Sequence, residues 1–130
     1  MEIPKNIEVI ELPTTIIWFN EDGICCTVSK KHSPQSLDEI KKYVEDFKKI
    51  LNGRKVCLLL DITNNTPSNK EVRDYISVEM PKLVKAIALV SKSALGKMIA
   101  NLFFNFKPQP YPTKMFSDEA AAKEWLKQYL

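Results

Sequence analysis

The stretch that decides the fold is Val56-Cys57-Leu58-Leu59-Leu60-Asp61. Its first five residues form a short, unbroken apolar run that is flanked by charged side chains. Such a run is typical of a strand buried on both faces, as parallel strands are when helices cover both sides of a sheet. We therefore predict a buried strand over residues 56–60 and an α/β fold around it.

An amphipathic helix precedes this strand. Ser36 and Glu39 form the S-x-x-E pattern of a capping box, and Asn52-Gly53 supplies a C-terminal stop. Apolar residues recur between them at spacings of three and four, which predicts a helix with one buried stripe. The stripe consists of Leu37, Ile40, Tyr43, Val44, Phe47, Ile50 and Leu51.

The N-terminal part of the chain is rich in β-forming residues. Residues 14–19 and 24–28 are joined by the turn Asn20-Glu21-Asp22-Gly23, which predicts a hairpin. Residues 7–12 have the same composition, but Pro13 follows them directly. Because proline cannot donate to a central ladder, we predict that this stretch is an edge strand or a broken one.

Helices and strands alternate after residue 61. A second capping box, Ser68-Asn69-Lys70-Glu71, predicts a helix that ends at Pro81, and residues 83–90 predict a strand. Ser93 can cap a third helix, and Ser117 a last one. The proline-rich connector and the short strand between these two helices span residues 107–116. The inward-facing residues of the helix after Ser68 are Val72, Ile76 and Met80, and those of the last helix are Trp125, Leu126 and Tyr129.

This order predicts a single mixed β-sheet, an N-terminal antiparallel hairpin plus parallel strands, covered by about four helices. A chain of 130 residues has the size of one domain, so we assign residues 1–130 to a single domain. The sequence has no apolar run of membrane-spanning length, and its N-terminus does not resemble a signal peptide. We expect a cytoplasmic protein without an integral membrane segment.

Recognisable catalytic motifs are missing from the sequence. His32 is the only histidine, and nothing pairs it with Cys25, Cys26 or Cys57. The cysteines lack zinc-site spacing, and we expect them to be reduced and structural. The glycines, Gly23, Gly53 and Gly96, form neither a dinucleotide fingerprint nor a P-loop. We therefore predict no enzyme, no cofactor, no metal site and no nucleic-acid partner.

Charge is distributed unevenly along the chain. Residues 80–117 carry no acidic side chain but six lysines, Lys82, Lys85, Lys92, Lys97, Lys107 and Lys114. Two interpretations remain open: a solvated lysine-bearing surface, or a basic face for an acidic partner, an anionic ligand or a lipid surface.

Two polar residues near the central strand each have two possible roles. Asp61 lies where open α/β sheets bind ligands, at the carboxyl end of a buried strand, but it could simply hydrogen-bond the turn that it begins. Ser68 could be a helix N-cap, or a phosphorylation site at a helix N-terminus. Together with Thr66, Lys70 and Arg73, these residues form a candidate surface for a partner or ligand.

The predicted third helix is apolar over more than one stripe. Its residues Ile99, Leu102, Phe103, Phe104 and Phe106 could pack under the proline connector, or they could form an apolar interface. Such an interface would serve a homodimer or face a lipid-like ligand.

Several segments resemble the STAS domain of anti-sigma-factor antagonists, and more closely a small STAS-like, sporulation-antagonist-like family of unknown function. These segments are residues 20–24, 60–61, 70–75, 86–89, 101–104, 112–116 and 124–126. The resemblance implies a sheet backed by helices, no enzymatic activity, and regulation through protein contacts or a small ligand. Ser68 falls near the phosphorylated serine of true antagonists, although the surrounding aspartate and glycine are missing.

Two functions are consistent with the sequence. The first is a non-enzymatic STAS-like protein-interaction module, a homodimer that docks a regulatory partner around residues 61–73. The second is a carrier or sensor of a small apolar or anionic ligand, using the Phe-rich helix and its lysines, as a further resemblance to lipid-transfer domains suggests.

Overall fold

The computed structural model describes residues 1–30, 36–63, 69–92 and 109–130 of the chain. The strands in these ranges are β1 (Ile10–Glu11), β2 (Thr15–Phe19), β3 (Cys25–Ser29), β4 (Val56–Asp61), β5 (Val84–Val90) and β6 (Thr113–Phe116). The α-helices in the same ranges are α1 (Leu37–Leu51), α2 (Lys70–Glu79) and α3 (Glu119–Leu126). Short 3₁₀ turns, Met80–Lys82 and Lys127–Tyr129, follow α2 and α3.

The described strands form one six-stranded sheet in the order β1-β2-β3-β4-β5-β6. Neighbours from β1 to β3 are antiparallel, and neighbours from β3 to β6 are parallel. In the β2–β3 turn, the Asn20 side-chain oxygen accepts the N–H groups of Asp22 and Ile24, and Gly23 adopts a φ of 85°. The predicted mixed sheet with an N-terminal hairpin and parallel strands is confirmed.

The central strand β4 is buried on both faces, as its apolar run predicts. Leu58 belongs to a cluster with Phe47 of α1, and Tyr75 of α2 packs against the same cluster. Leu59 points the other way and belongs to a cluster with Leu126 of α3. Consecutive strand residues alternate between faces, so helices on both sides require the unbroken apolar run from Val56 to Leu60 in β4.

The cap of α1 has the predicted geometry. The Ser36 hydroxyl accepts the Glu39 N–H at 3.2 Å, and the Glu39 carboxylate accepts the Ser36 N–H at 3.1 Å. At the other end Asn52 has a φ of 51° and Gly53 a φ of 84°. This left-handed turn satisfies the Lys48 carbonyl and ends the helix.

The caps of the two later helices correct the sequence prediction. The N-cap of α2 is Asn69 rather than Ser68: its side-chain oxygen accepts the Val72 N–H at 2.9 Å. The N-cap of α3 is Asp118 rather than Ser117. Each cap lies one residue later than predicted. The neighbouring Ser, Asn and Asp side chains can all accept a hydrogen bond from the first turn of a helix, and the backbone conformation determines which of them is in position to do so.

Other boundaries also differ from prediction. The β-rich stretch over residues 7–12 forms a strand only at Ile10–Glu11, an edge position that agrees with the proline after it. The α-helix α2 ends at Glu79, just before Pro81 as predicted, and Pro81 lies in the first turn of the following 3₁₀ helix, where proline is tolerated. The described residues hold three α-helices instead of about four, and the predicted helix after Ser93 falls on residues 93–108, outside them.

Membrane-spanning helices are not found within the described ranges: none of the helices there is both long and apolar enough to cross a bilayer.

Candidate functional site

Three of the predicted surface residues, Asp61, Lys70 and Arg73, lie in the described part of the chain. The remaining candidates fall outside it: Thr66, Ser68, Ile99, Leu102, Phe103, Phe104 and Phe106. The proposed phosphosite and the proposed apolar interface therefore both stay predictions.

Asp61 is the last residue of β4 and is almost fully buried, at 4% exposure. One carboxylate oxygen accepts the Thr63 backbone N–H at 2.9 Å, which confirms that Asp61 hydrogen-bonds the turn that it begins. The other oxygen accepts a hydrogen bond from the Met1 ammonium and forms an ion pair with it. Burial by itself would raise the pKa of Asp61, but the bonds from Met1 and Thr63 outweigh it and hold the pKa below its ordinary value.

The Met1 contact spans sixty residues of sequence. It could not be predicted from local patterns, because no periodicity or motif links residue 1 to residue 61. The Met1 side chain is buried against the cluster that contains Leu59 and Leu126. The Met1 contact thus pins the amino-terminal segment to the face of the sheet that α3 covers.

Lys70 and Arg73 belong to α2, on the opposite face of the sheet from the Asp61 carboxylate. Alternation along β4 places Leu60 and the following Ile62 with the α1–α2 cluster, and therefore directs Asp61 towards the α3 side. Lys70 is highly exposed and pairs with Asp74 at 3.3 Å, one helical turn away. Arg73 is half-buried, and its carbonyl accepts the Ser77 hydroxyl.

The three described residues of the predicted surface are therefore divided between the two faces of the sheet. Of these three, Lys70 and Arg73 lie on a helix, α2. We define the α2 surface as Lys70, Glu71, Arg73, Asp74 and Val78. Val78 is the most exposed large apolar side chain among the described residues, at 62%.

The three cysteines are free and buried. Cys25 belongs to the cluster on the α1–α2 side and Cys26 to the one on the α3 side, so the two adjacent thiols point to opposite faces, as predicted. Burial raises the pKa of Cys25 to about 12 and that of Cys26 to about 11. Thiols with such pKa values are poor nucleophiles near neutral pH, because little thiolate is present.

Within the described ranges, no three His, Cys, Asp or Glu side chains are grouped so that they could hold a metal ion. The Asp61 carboxylate is the one strongly buried acid in those ranges, and both of its oxygens are engaged by Met1 and Thr63.

Comparison with known proteins gives a family and a fold. The sequence profile of a family described as a domain of unknown function (DUF7793) matches residues 17–130. Among solved structures, the chain is similar to an uncharacterized protein from the DUF3478 family with a SpoIIAA-like fold, from Shewanella loihica PV-4. The identity is 16% and the TM-score 0.63, over 96% of this chain and 99% of that chain. The predicted STAS-like resemblance is thereby confirmed for the fold.

A second solved structure, a protein with unknown function from Arthrobacter sp. FB24, shares 21% identity over 85% of this chain and 90% of that chain. Its TM-score of 0.32 is too low to be evidence about the fold. No curated protein matches the chain.

Proposed function

Since the chain belongs to the DUF7793 family of domains of unknown function, we propose that it is a non-enzymatic protein-interaction module built on a SpoIIAA-like fold. The docking site in this proposal is the α2 surface. The partner is a protein that places an apolar side chain on Val78 and polar groups on the Lys70–Asp74 pair.

The observation that carries the proposal is the light packing of α2. Val72 is its one buried residue among ten, whereas α1 buries Val44, Phe47 and Leu51. Polar contacts also join the two helices, with the Lys48 ammonium 2.9 Å from the Glu79 carboxylate and Lys41 above the Tyr75 ring. A helix with few buried contacts belongs to the less stable part of a domain, from which partner-responsive elements are drawn.

The state of the candidate reactive groups supports a role without catalysis. The Cys25 and Cys26 thiols are buried with raised pKa values. Asp61 holds the amino-terminal segment and its own turn, so its oxygens are already engaged. Catalytic side chains need access to a substrate and a pKa suited to their task, and these three groups lack both.

The interaction proposal predicts a specific protein partner. Native mass spectrometry of the protein from its own host should show a complex of fixed stoichiometry. The change Val78→Glu should abolish the complex, because a charge replaces the apolar contact. Ile3→Glu is the matched control, since Ile3 is also an exposed apolar side chain but lies outside α2. Retention of the partner by the Val78→Glu protein, or a protein without partner in every preparation, would contradict the proposal.

The homodimer belongs to the same proposal, with its interface on residues 99–106. Sedimentation equilibrium should give a dimer for the native chain and a folded monomer for Phe104→Glu, because a charge at an apolar interface is strongly unfavourable. A native monomer would rule out the dimer and leave the α2 docking site untouched. The alternative function, a carrier that uses the Phe-rich segment, stays a prediction because that segment lies outside the described residues.

A further inference from the structure

A cleft with a volume of about 390 Å³ opens at the amino-terminal edge of the parallel strands. Phe19, Val56, Cys57 and Leu130 line it, and the hairpin turn at Gly23 borders it. Val56 and Cys57 are almost fully buried, so we call the accessible apolar surface of Phe19 and Leu130 the cleft floor. Its basic side chains are Arg54, Lys55 and Lys85, and we call it the cationic cleft. None of its lining residues belongs to α2, so a ligand site in this cleft is independent of the α2 docking site, and either can fail alone.

Local backbone geometry brings the three cations together. The left-handed turn at Asn52 and Gly53 ends α1 and delivers Arg54 and Lys55 to the sheet edge. Lys85 is positioned by an irregularity in the pairing of β4 with β5. Val56 pairs with Val84 and Cys57 with Ala86, so Lys85 is the extra residue of a β-bulge in β5. Bulges re-aim a side chain away from the ladder, and they are enriched near functional sites.

The three cations of the cleft form no ion pair with any carboxylate in the part of the chain that the structure describes. The neighbouring lysines Lys48 and Lys82, by contrast, both pair with Glu79. Arg54 is also held in place. Its Nε donates to the Leu51 carbonyl at 3.1 Å, and its guanidinium lies 5.9 Å from the Phe19 ring centroid.

We propose that the cationic cleft binds a small organic anion, a phosphate monoester whose apolar or aromatic group lies on the cleft floor. Three converging cations suit a dianionic phosphate, and the fixed guanidinium of Arg54 offers paired donors. Phe19 and Leu130 supply an accessible apolar surface beside the charge. The volume lies at the small end of the range for ligand pockets, about 300–1,000 Å³, which limits the ligand to one ring or a short chain.

Phenyl phosphate is the probe that matches this site. Its titration into isotope-labelled protein should shift the backbone resonances of Phe19, Gly23 and Val56. Inorganic phosphate carries the charge without the ring, and phenol the ring without the charge. Each should bind about ten-fold more weakly or worse, because each makes only part of the contacts.

A pair of double variants tests the cations. Lys55→Gln with Lys85→Gln should weaken phenyl phosphate binding about ten-fold, since two charge contacts are lost. Lys5→Gln with Lys92→Gln is the matched control, because it removes the same charge from two exposed lysines outside the cleft. The control should bind within roughly two-fold of the native protein, as screening weakens distant charges. Thermal melts establish that both variants are folded.

Three results would overturn the proposal. The first is the absence of resonance shifts at the cleft in millimolar phenyl phosphate. The second is an equal loss of affinity in both double variants, which would indicate only nonspecific attraction. The third is co-sedimentation with phosphatidylserine vesicles without phenyl phosphate binding, which would indicate a membrane headgroup instead of a free ligand. If the cleft variant does not fold, the native protein decides: nuclear Overhauser contacts from the phenyl ring to Phe19 and Leu130 are expected, and their absence contradicts the site.

Discussion

Replacing Asp61 by asparagine tests whether the buried carboxylate holds the amino-terminal segment on the sheet. Asparagine keeps the shape of the side chain and an oxygen for the Thr63 N–H, which lies 2.9 Å from the native carboxylate. The change removes the negative charge that faces the Met1 ammonium and replaces the acceptor oxygen there with an NH2 group, which cannot accept a hydrogen bond from it. It therefore separates the ion pair from the turn.

Two free-energy costs set an upper limit on how far Asp61→Asn can destabilise the protein. An ammonium left buried without its carboxylate costs about 3–5 kcal/mol. Undocking is the alternative, because the segment before β1 can leave the surface while the sheet stays intact. Undocking exposes the buried Met1 side chain, which costs about 1.5–3 kcal/mol. The smaller cost decides, so we expect the free energy of unfolding to fall by about 2 kcal/mol, with a melting temperature lower by roughly 6–10 °C.

Urea unfolding of the native and Asp61→Asn proteins measures this difference. Asp46→Asn is the matched control, because it makes the same chemical change at a surface pair, with Lys42 at 2.9 Å one helical turn away. Such a helical surface pair contributes only about 0.2–0.5 kcal/mol. A loss below about 0.5 kcal/mol for Asp61→Asn, or equal losses for both variants, would refute the reasoning, since exposed pairs contribute that little.

The stability difference between the native and Asp61→Asn proteins should also depend on pH. The pKa of Asp61 in the folded protein lies below its ordinary value. Its ionisation therefore contributes stability that is fully present above the unfolded pKa of about 4 and is lost as the pH falls through the folded pKa. The difference in free energy of unfolding between the native and Asp61→Asn proteins should be constant from about pH 5 to neutrality and should shrink towards about pH 2. This window follows from the ordinary aspartate pKa of about 4. A difference that grows on acidification would contradict this sign.

Three further predictions concern caps, turns and thiols. Asp118→Ala should lower the free energy of unfolding by about 1 kcal/mol and Ser117→Ala by less than about 0.5 kcal/mol in chemical denaturation, because Asp118 is the observed cap; the reverse order would restore the sequence prediction. Gly53→Ala should cost about 1–2 kcal/mol in the same assay because its φ is 84°, and a neutral effect would contradict the left-handed turn. Cys25 and Cys26 should react with a thiol reagent at pH 8 only after unfolding, and rapid labelling of the folded protein would show that they are accessible.

Local sequence patterns predicted the elements well where one physical demand dominates. The capping box at Ser36 and Glu39 is confirmed because both reciprocal hydrogen bonds need specific side chains at a spacing of three. Where several adjacent residues could do the same task, the position was off by one, as at Asn69 and Asp118. The identity of the capping residue depends on the path by which the chain arrives, and that path is set by tertiary contacts.

The candidate surfaces likewise combine features that local sequence predicts with features that only tertiary contacts determine. Asp61 was found from sequence because it ends a buried apolar run, and its bond to Thr63 is local. Its ion pair with Met1 and the placement of Arg73 on the opposite face of the sheet depend on contacts between distant segments. The acid-free stretch over residues 80–117 left two interpretations open, and only the tertiary structure shows that one of its lysines, Lys85, lines the same cleft as Arg54.

The sequence by itself determined that this chain forms a mixed sheet with helices on both sides. The unbroken run from Val56 to Leu60 can be buried only between two apolar layers, and the hairpin turn and capping box follow from backbone and side-chain geometry within a few residues. The tertiary structure decided which charged groups lie close together in space. Coulomb interactions depend on distance in space, and sequence separation does not fix that distance for residues such as Met1 and Asp61, or Arg54 and Lys85.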